Sequence, residues 1–305
     1  MHYCGIDEMQ AACERNGWSV KFRQLEPGML AVSTASRDCA NITLLDQIFS
    51  QRTEIVGAAP QGYITVLAPM GRGRFSINGQ SIDGPGIFLL QPRTELHAAN
   101  KEILRVVAMT VPISLLREAD RDVLHTWERG NRCQTMLIEP GAGIVQRLRL
   151  LMEATMSEPT SAFDQVERAS SLATILATIV DQHIGTQKTT SRTSPAEALR
   201  ILKRAREFIE ANLGETIPIS EVCTVSATSV SKLERTFQRE LNMSPSRYIL
   251  TCRLDAVRKE LGNTCLADMQ IARIAMDYGF NHLGRFAGSY REQFGELPSQ
   301  TVRHI

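Results

Sequence analysis

Residues 270–303 read QIARIAMDYGFNHLGRFAGSYREQFGELPSQTVR, and the rest of the chain is understood outward from them. Ile271, Ile274 and Ala275 recur at i, i+3 and i+4, the spacing of one buried helix face. Tyr278-Gly279-Phe280 interrupts that helix, and Gly279 supplies a positive φ that residues with a side chain resist. Asn281 stands where an N-cap is needed for a second helix running to about Phe294. That helix carries Phe286, Tyr290 and Phe294 on one side, stops at Gly295 and is followed by Pro298. Two short helices across a tight turn form a helix-turn-helix, whose second helix can enter a DNA major groove.

Upstream the pattern repeats. Leu199, Leu202, Ala205 and Ile209 mark a helix ended at Leu213-Gly214. Ser220–Val225 reads as a short first helix and Ala227-Thr228 as a turn. Ser229 caps a longer helix bearing Leu233, Phe237 and Leu241. From Ser246 to Leu261 runs a linking helix, long enough to span ~24 Å at 1.5 Å per residue. With its flanking helices it permits two recognition helices to reach successive major-groove faces ~34 Å apart.

These residues resemble the AraC/XylS family of bacterial transcription regulators over about Ala196–His304. The resemblance rests on Leu233-x-Arg235-x-Phe237, Ser244-Pro245-x-x-Tyr248, Arg253-Leu254 with Ala256, and Ile271-Ala272-x-x-Ala275-x-x-Tyr278-Gly279-Phe280. It continues through Arg285-Phe286-x-x-x-Tyr290-Arg291-x-x-Phe294-Gly295-x-x-Pro298-Ser299. The first unit departs from the family pattern at Ala227, where glycine is favoured, and at Cys223, where alanine is common. An alanine at positive φ costs about 1 kcal/mol or more.

Contacts in such units come from the exposed N-terminal half of each recognition helix. In the first unit these are Ser231, Lys232, Glu234 and Arg235; in the second, His282, Leu283, Gly284, Arg285 and Gly288. Arg235 and Arg285 have the chemistry to read guanine through paired hydrogen bonds, and Glu234 to accept from cytosine N4. Gly284 and Gly288 each lower helix propensity, a cost explained by close approach either of DNA or of another helix. Lys203, Arg239, Arg247, Lys259 and Arg291 are candidates for phosphate contacts, which position without specifying sequence.

The N-terminal part has a different texture. Short β-prone runs at Leu30–Val32, Ile42–Leu45 and Tyr63–Leu67 are bounded by turn residues. Asn78-Gly79 between Phe75, Ile77 and Ile82 predicts a tight hairpin. Strands Ile87–Gln91 and Ile103–Val111 each end at a proline, and the spacing suggests a sandwich or barrel. The family resemblance implies a cupin-like sensor domain here. Residues 1–20 give no reading. After Pro112 the period becomes helical, over Ile113–Leu124, Gly141–Met156 and Ala162–Ile184. The last has a wide apolar stripe, covered either within the chain or by a second copy through Leu172, Ile175, Leu176 and Ile179.

The expected fold is therefore an α+β two-domain chain: a β-rich N-terminal effector-binding or dimerisation domain over 1–185, helical after about 112. A polar linker comes next at 186–195, then a helical DNA-binding domain at 196–305 with two helix-turn-helix motifs. Net charge is only +1, and Ala196–Ile305 holds 15 Lys+Arg against 13 Asp+Glu. Binding to nucleic acid must then use positive charge gathered on one face, and pairing of two copies would help. The expected partners are double-stranded DNA, a second copy, a small-molecule effector and, for an activator, RNA polymerase. Seven cysteines scattered without a CxxC pair fit a reducing cytoplasm, and no apolar run reaches membrane length. Six histidines show no HxH or HExxH spacing, and no GxSxG or phosphate loop occurs, so neither enzyme nor cofactor is expected. Glu95 and His97, on one strand face, form a single metal-like pair. The competing readings are a repair-like enzyme fused to a DNA-binding domain and a protein-interaction module.

Overall fold

The computed structural model describes residues 2–4, 6–71, 74–116, 121, 135–138, 143–157, 161–184, 195–263 and 268–302. The chain divides into two compact units. The first holds Met1–Phe22, Ala31–Ser50 and Ile55–Thr193; the second holds Arg23–Leu30, Gln51–Glu54 and Ser194–Ile305. The expected linker lies almost wholly outside the described residues, as do Cys133, Cys265, His125 and His304.

The strands form two antiparallel sheets, most of whose residues fall in the first unit. One contains seven strands in the order β1 (His2–Cys4), β3 (Val32–Cys39), β4 (Ile42–Phe49), β11 (Leu104–Pro112), β6 (Tyr63–Met70), β9 (Ile87–Leu90), β12 (Thr135–Ile138). The other runs β2 (Ser19–Gln24), β5 (Thr53–Ala58), β10 (Glu95–Asn100), β7 (Arg74–Ile77), β8 (Gln80–Asp83). The hairpin forms where Asn-Gly places it: Asn78 and Gly79 have φ of 49° and 76°, and Phe75 pairs with Ile82. Both positive angles are what a type I′ turn requires. Helix α1 (Ile6–Arg15) and β1 occupy the stretch that the sequence left unassigned. Of the helix expected at Ile113–Leu124, Ile113–Leu115 is a 3₁₀ turn, while residues 117–120 and 122–124 lie outside the described residues.

Helices α2 (Gly143–Ser157) and α3 (Ala162–Ile184) share a core with the seven-stranded sheet. Leu148 and Met152 of α2 join Leu44, Val66, Leu89 and Met109 of the strands. Three of the four side chains proposed for a second copy belong to this same core. Leu172, Leu176 and Ile179 are fully buried within the chain, and Ile175 is partly buried against them. The stripe is wide because it covers a sheet, so those residues are not available to another molecule as the chain stands.

The second unit is helical: α4 (Pro195–Ala211), α5 (Ile219–Val225), α6 (Val230–Leu241), α7 (Pro245–Asn263), α8 (Asp268–Asp277), α9 (Leu283–Phe294) and α10 (Pro298–Thr301). The linking helix α7 has 19 residues, longer at both ends than its apolar pattern. Pro245 opens it, a position where the missing N–H costs nothing. Tyr248 of α7 meets Phe237 of α6 edge-on at 5.3 Å. Leu254, Val257 and Leu261 of α7 join Ile274, Ala275, Phe286, Tyr290 and Phe294. The three aromatic rings of α9 pack at 5.7 and 4.8 Å along the helix, and the Tyr290 hydroxyl is 2.7 Å from Thr301 Oγ1.

Candidate nucleic-acid interface

Each helix-turn-helix begins with a turn that closes its first helix, and the two turns have the same hydrogen bonds. Ala227 N–H donates to the Thr224 carbonyl and Thr228 N–H to Cys223, at 3.1 and 3.0 Å. Gly279 N–H donates to Met276 and Phe280 N–H to Ala275, at 2.9 and 3.0 Å. This pattern needs a left-handed residue, and Ala227 at φ 50° takes the place that Gly279 takes at φ 80°. The departure at Ala227 therefore keeps the geometry and stores strain.

Recognition helix α6 starts as the sequence indicates, with Ser229 Oγ accepting from Lys232 N–H at 3.4 Å. Helix α9 does not. Its N-cap is His282 rather than Asn281, with no side-chain cap bond. The reason lies in the turn. Phe280 packs on Phe286 at 4.9 Å, and the second turn takes one more residue than the first before its helix begins.

The core side chains relate the two helices. Setting Leu233, Phe237 and Leu241 against Phe286, Tyr290 and Phe294 puts Val230 opposite Leu283, Lys232 opposite Arg285, and Arg235 opposite Gly288. Ser231, Glu234 and Arg235 are exposed, as are His282, Leu283, Gly284, Arg285 and Gly288. Lys232 is half-buried, and its Nζ donates to Glu197 Oε1 of α4 at 2.6 Å. That ammonium holds the Glu197 carboxyl below its usual range. Lys232 is thus committed to a neighbour, whereas Arg235 Nε donates to the Ser231 carbonyl of its own helix at 3.2 Å. Among the described residues nothing lies within 4 Å of a Cβ built at Gly284 or Gly288, so helix packing there does not account for either glycine.

The phosphate candidates separate in the same way. Arg239 pairs with Glu240 at 2.7 Å; Arg247 reaches Gln293 Oε1 at 3.2 Å and Glu292 at 3.6 Å. Lys259 and Arg291 are exposed, and Lys203 is half-buried. Sequence reading missed one exposed residue on this edge, Val230, because an apolar residue opening a helix reads as core.

Cys252, buried in α7, has its thiol pushed up to about 12 by burial, and burial raises Cys39 and Cys223 as well. Such thiols are poor nucleophiles at neutral pH. Among the described residues no three His, Cys, Asp or Glu side chains gather as metal ligands, and no helix is long and apolar enough to cross a membrane.

Two helix-turn-helix units joined by one helix, with arginine-bearing N-terminal edges exposed, define a nucleic-acid-binding class of domain. Residues 222–304 match a family model described as a helix-turn-helix domain. The chain is similar to the XylDLEGF operon transcriptional activator 2 of Pseudomonas putida, 37% identical over 112 residues, covering 37% of this chain and 71% of that protein. It is also 39% identical over 101 residues to the XylDLEGF operon transcriptional activator of Pseudomonas putida, spanning 33% of this chain and only about a third (32%) of that protein's length. A solved structure of a probable AraC family transcriptional regulator from Rhodopseudomonas palustris is 32% identical and covers 33% of this chain and 94% of that one, with a TM-score of 0.31. The chain belongs to the AraC/XylS family of transcription regulators.

Proposed function

We propose that this chain is a sequence-specific DNA-binding transcription regulator acting without catalysis in the cytoplasm. One observation carries the reading. Two turns of matching geometry present recognition helices whose exposed edges bear Arg235 and Arg285. The similar Pseudomonas putida proteins are operon transcriptional activators, which favours activation, with RNA polymerase as the further partner. Base readout falls to Ser231, Glu234, Arg235, His282, Leu283, Gly284, Arg285 and Gly288. Phosphate contact falls to Lys259 and Arg291 before Arg239 and Arg247, whose charges already have acidic neighbours.

The first unit serves control, by self-association or by a small molecule. The apolar space lined by Trp18, Phe22, Leu67, Phe75 and Leu96 amounts to about 30 Å³, a water's worth of room. An effector of ordinary size enters this space only if its lining parts. Phe163 and Val166 of α3, exposed at 72% and 58%, replace the buried stripe as the side chains offered to a second copy.

Selection of binding sites from a random duplex pool with the purified chain tests the main reading. A bipartite consensus is expected, with affinity falling as salt rises. A pool that enriches nothing would refute it.

A further inference from the structure

We propose that Val230 and Leu283 read thymine methyl groups, one in each half of the DNA site, so that each half contains a thymine recognised by its C5-methyl. This rests on the DNA-binding reading above and adds to it a specific base and the residues that select it.

The two residues hold equivalent places. Each is the first residue of its recognition helix, immediately after the N-cap Ser229 or His282. Each stands seven residues before a buried aromatic, Phe237 or Tyr290. Seven residues at 100° each return to within about 20° of the same direction, so Val230 and Leu283 lie angularly on the core side of their helices. Yet they are 48% and 38% exposed. They overhang: the core begins one turn later, at Leu233 and Phe286. Propensity does not select the pair: branched valine is a poor helix former and leucine a good one, yet both units place an aliphatic residue here. Neither serves as a staple across its N-cap, a job that belongs to the residue before the cap.

The N-terminal end of a recognition helix is the part that meets base edges. Ser231, Arg235 and Arg285 are exposed in the same N-terminal halves of these helices. On the major-groove edge of the four bases, the sole apolar group is the methyl of thymine. An exposed aliphatic residue placed there buries apolar surface against thymine and gains nothing against cytosine. Repetition of the feature in both units, through otherwise different sequences, is what separates it from a stray surface residue.

Deoxyuridine in place of thymine removes the methyl and changes no hydrogen-bonding group on that edge. In the site selected from the random pool, each thymine is replaced singly by deoxyuridine and the affinity of the full chain measured. One thymine per half is expected to lose about fourfold, the worth of one buried methyl group. Val230→Ala is expected to abolish that sensitivity in one half and Leu283→Ala in the other. On the doubly deoxyuridine-substituted site, wild type and variants should bind alike, which also shows the variants folded. The inference is overturned if no thymine responds, if responses persist in both variants, or if the variants lose equally on thymine and deoxyuridine DNA. Failure of the wild-type chain to enrich any site would instead overturn the DNA-binding reading, and this inference with it.

Discussion

Arg285 stands exposed two residues inside helix α9, where the equivalent residue of α6, Lys232, is held by Glu197. The two recognition helices therefore offer cations from different places: Arg285 in one, Arg235 in the other. Arg285→Ala is expected to leave the thermal unfolding curve unchanged. It should relax preference at one base pair by about 1–3 kcal/mol, read as a flattened position in the selected consensus. Retention of the full consensus would remove Arg285 from readout. Ala227 belongs to the same scale. At φ 50° it bears the cost that a Cβ imposes in the left-handed region, offset in part by the greater freedom glycine loses on folding. Ala227→Gly should stabilise the helical unit by about 0.5–1 kcal/mol in chemical denaturation. The strain was legible in the sequence through the family resemblance, which favours glycine at the turn position where this chain has Ala227. The ion pair of Lys232 was not, since Glu197 lies on another helix and no local spacing connects them.

At the scale of the element, legibility tracked the size of the apolar signal. Helix α3 was delimited at both ends by its stripe of leucine, isoleucine and valine. Helix α1 went unread because its buried face is built from Met9, Ala12 and Cys13, two of them too small to register as a stripe. The purpose of the α3 stripe was not legible either: periodicity says that a face is covered, not by what, and here the cover is the chain's own sheet. The start of α9 was misplaced by one residue because Asn281 is the better cap by type, while the packing of Phe280 decided the register. Helix α9 also carries a testable imbalance. Gly288 lies in its interior with open space where a Cβ would go. Gly288→Ala should raise stability by about 0.5–1 kcal/mol, since alanine is the better helix former and meets no obstacle. If the bare backbone exists to let DNA approach, the same variant binds its site more weakly while unfolding at higher denaturant. Gains in both properties would assign the glycine no role at the interface.

For the whole molecule, charge is the deciding quantity. A net charge of +1 supplies no general attraction for a polyanion, so affinity must come from a few cations placed at phosphates. The composition made this plain; which cations are offered became visible only with the ion pairs assigned. Arg239 and Arg247 face Glu240 and Glu292, and moving either to a phosphate gives up an existing partner. Lys259 and Arg291 have no such acidic neighbour among the ion pairs found in the described residues. Each phosphate neutralised contributes about 0.9 to the slope of log K against log salt. Lys259→Ala and Arg291→Ala are therefore each expected to reduce that slope by about 0.9 while weakening all sequences alike. Arg285→Ala should leave the slope near its wild-type value and change only which sequence is preferred. Titration of duplex at several salt concentrations, on the selected site and on a scrambled one, separates the two behaviours. Should Lys259 and Arg291 leave the slope untouched while Arg239 or Arg247 lowers it, the internal ion pairs exchange freely for phosphates, and the assignment of positioning residues must be reversed.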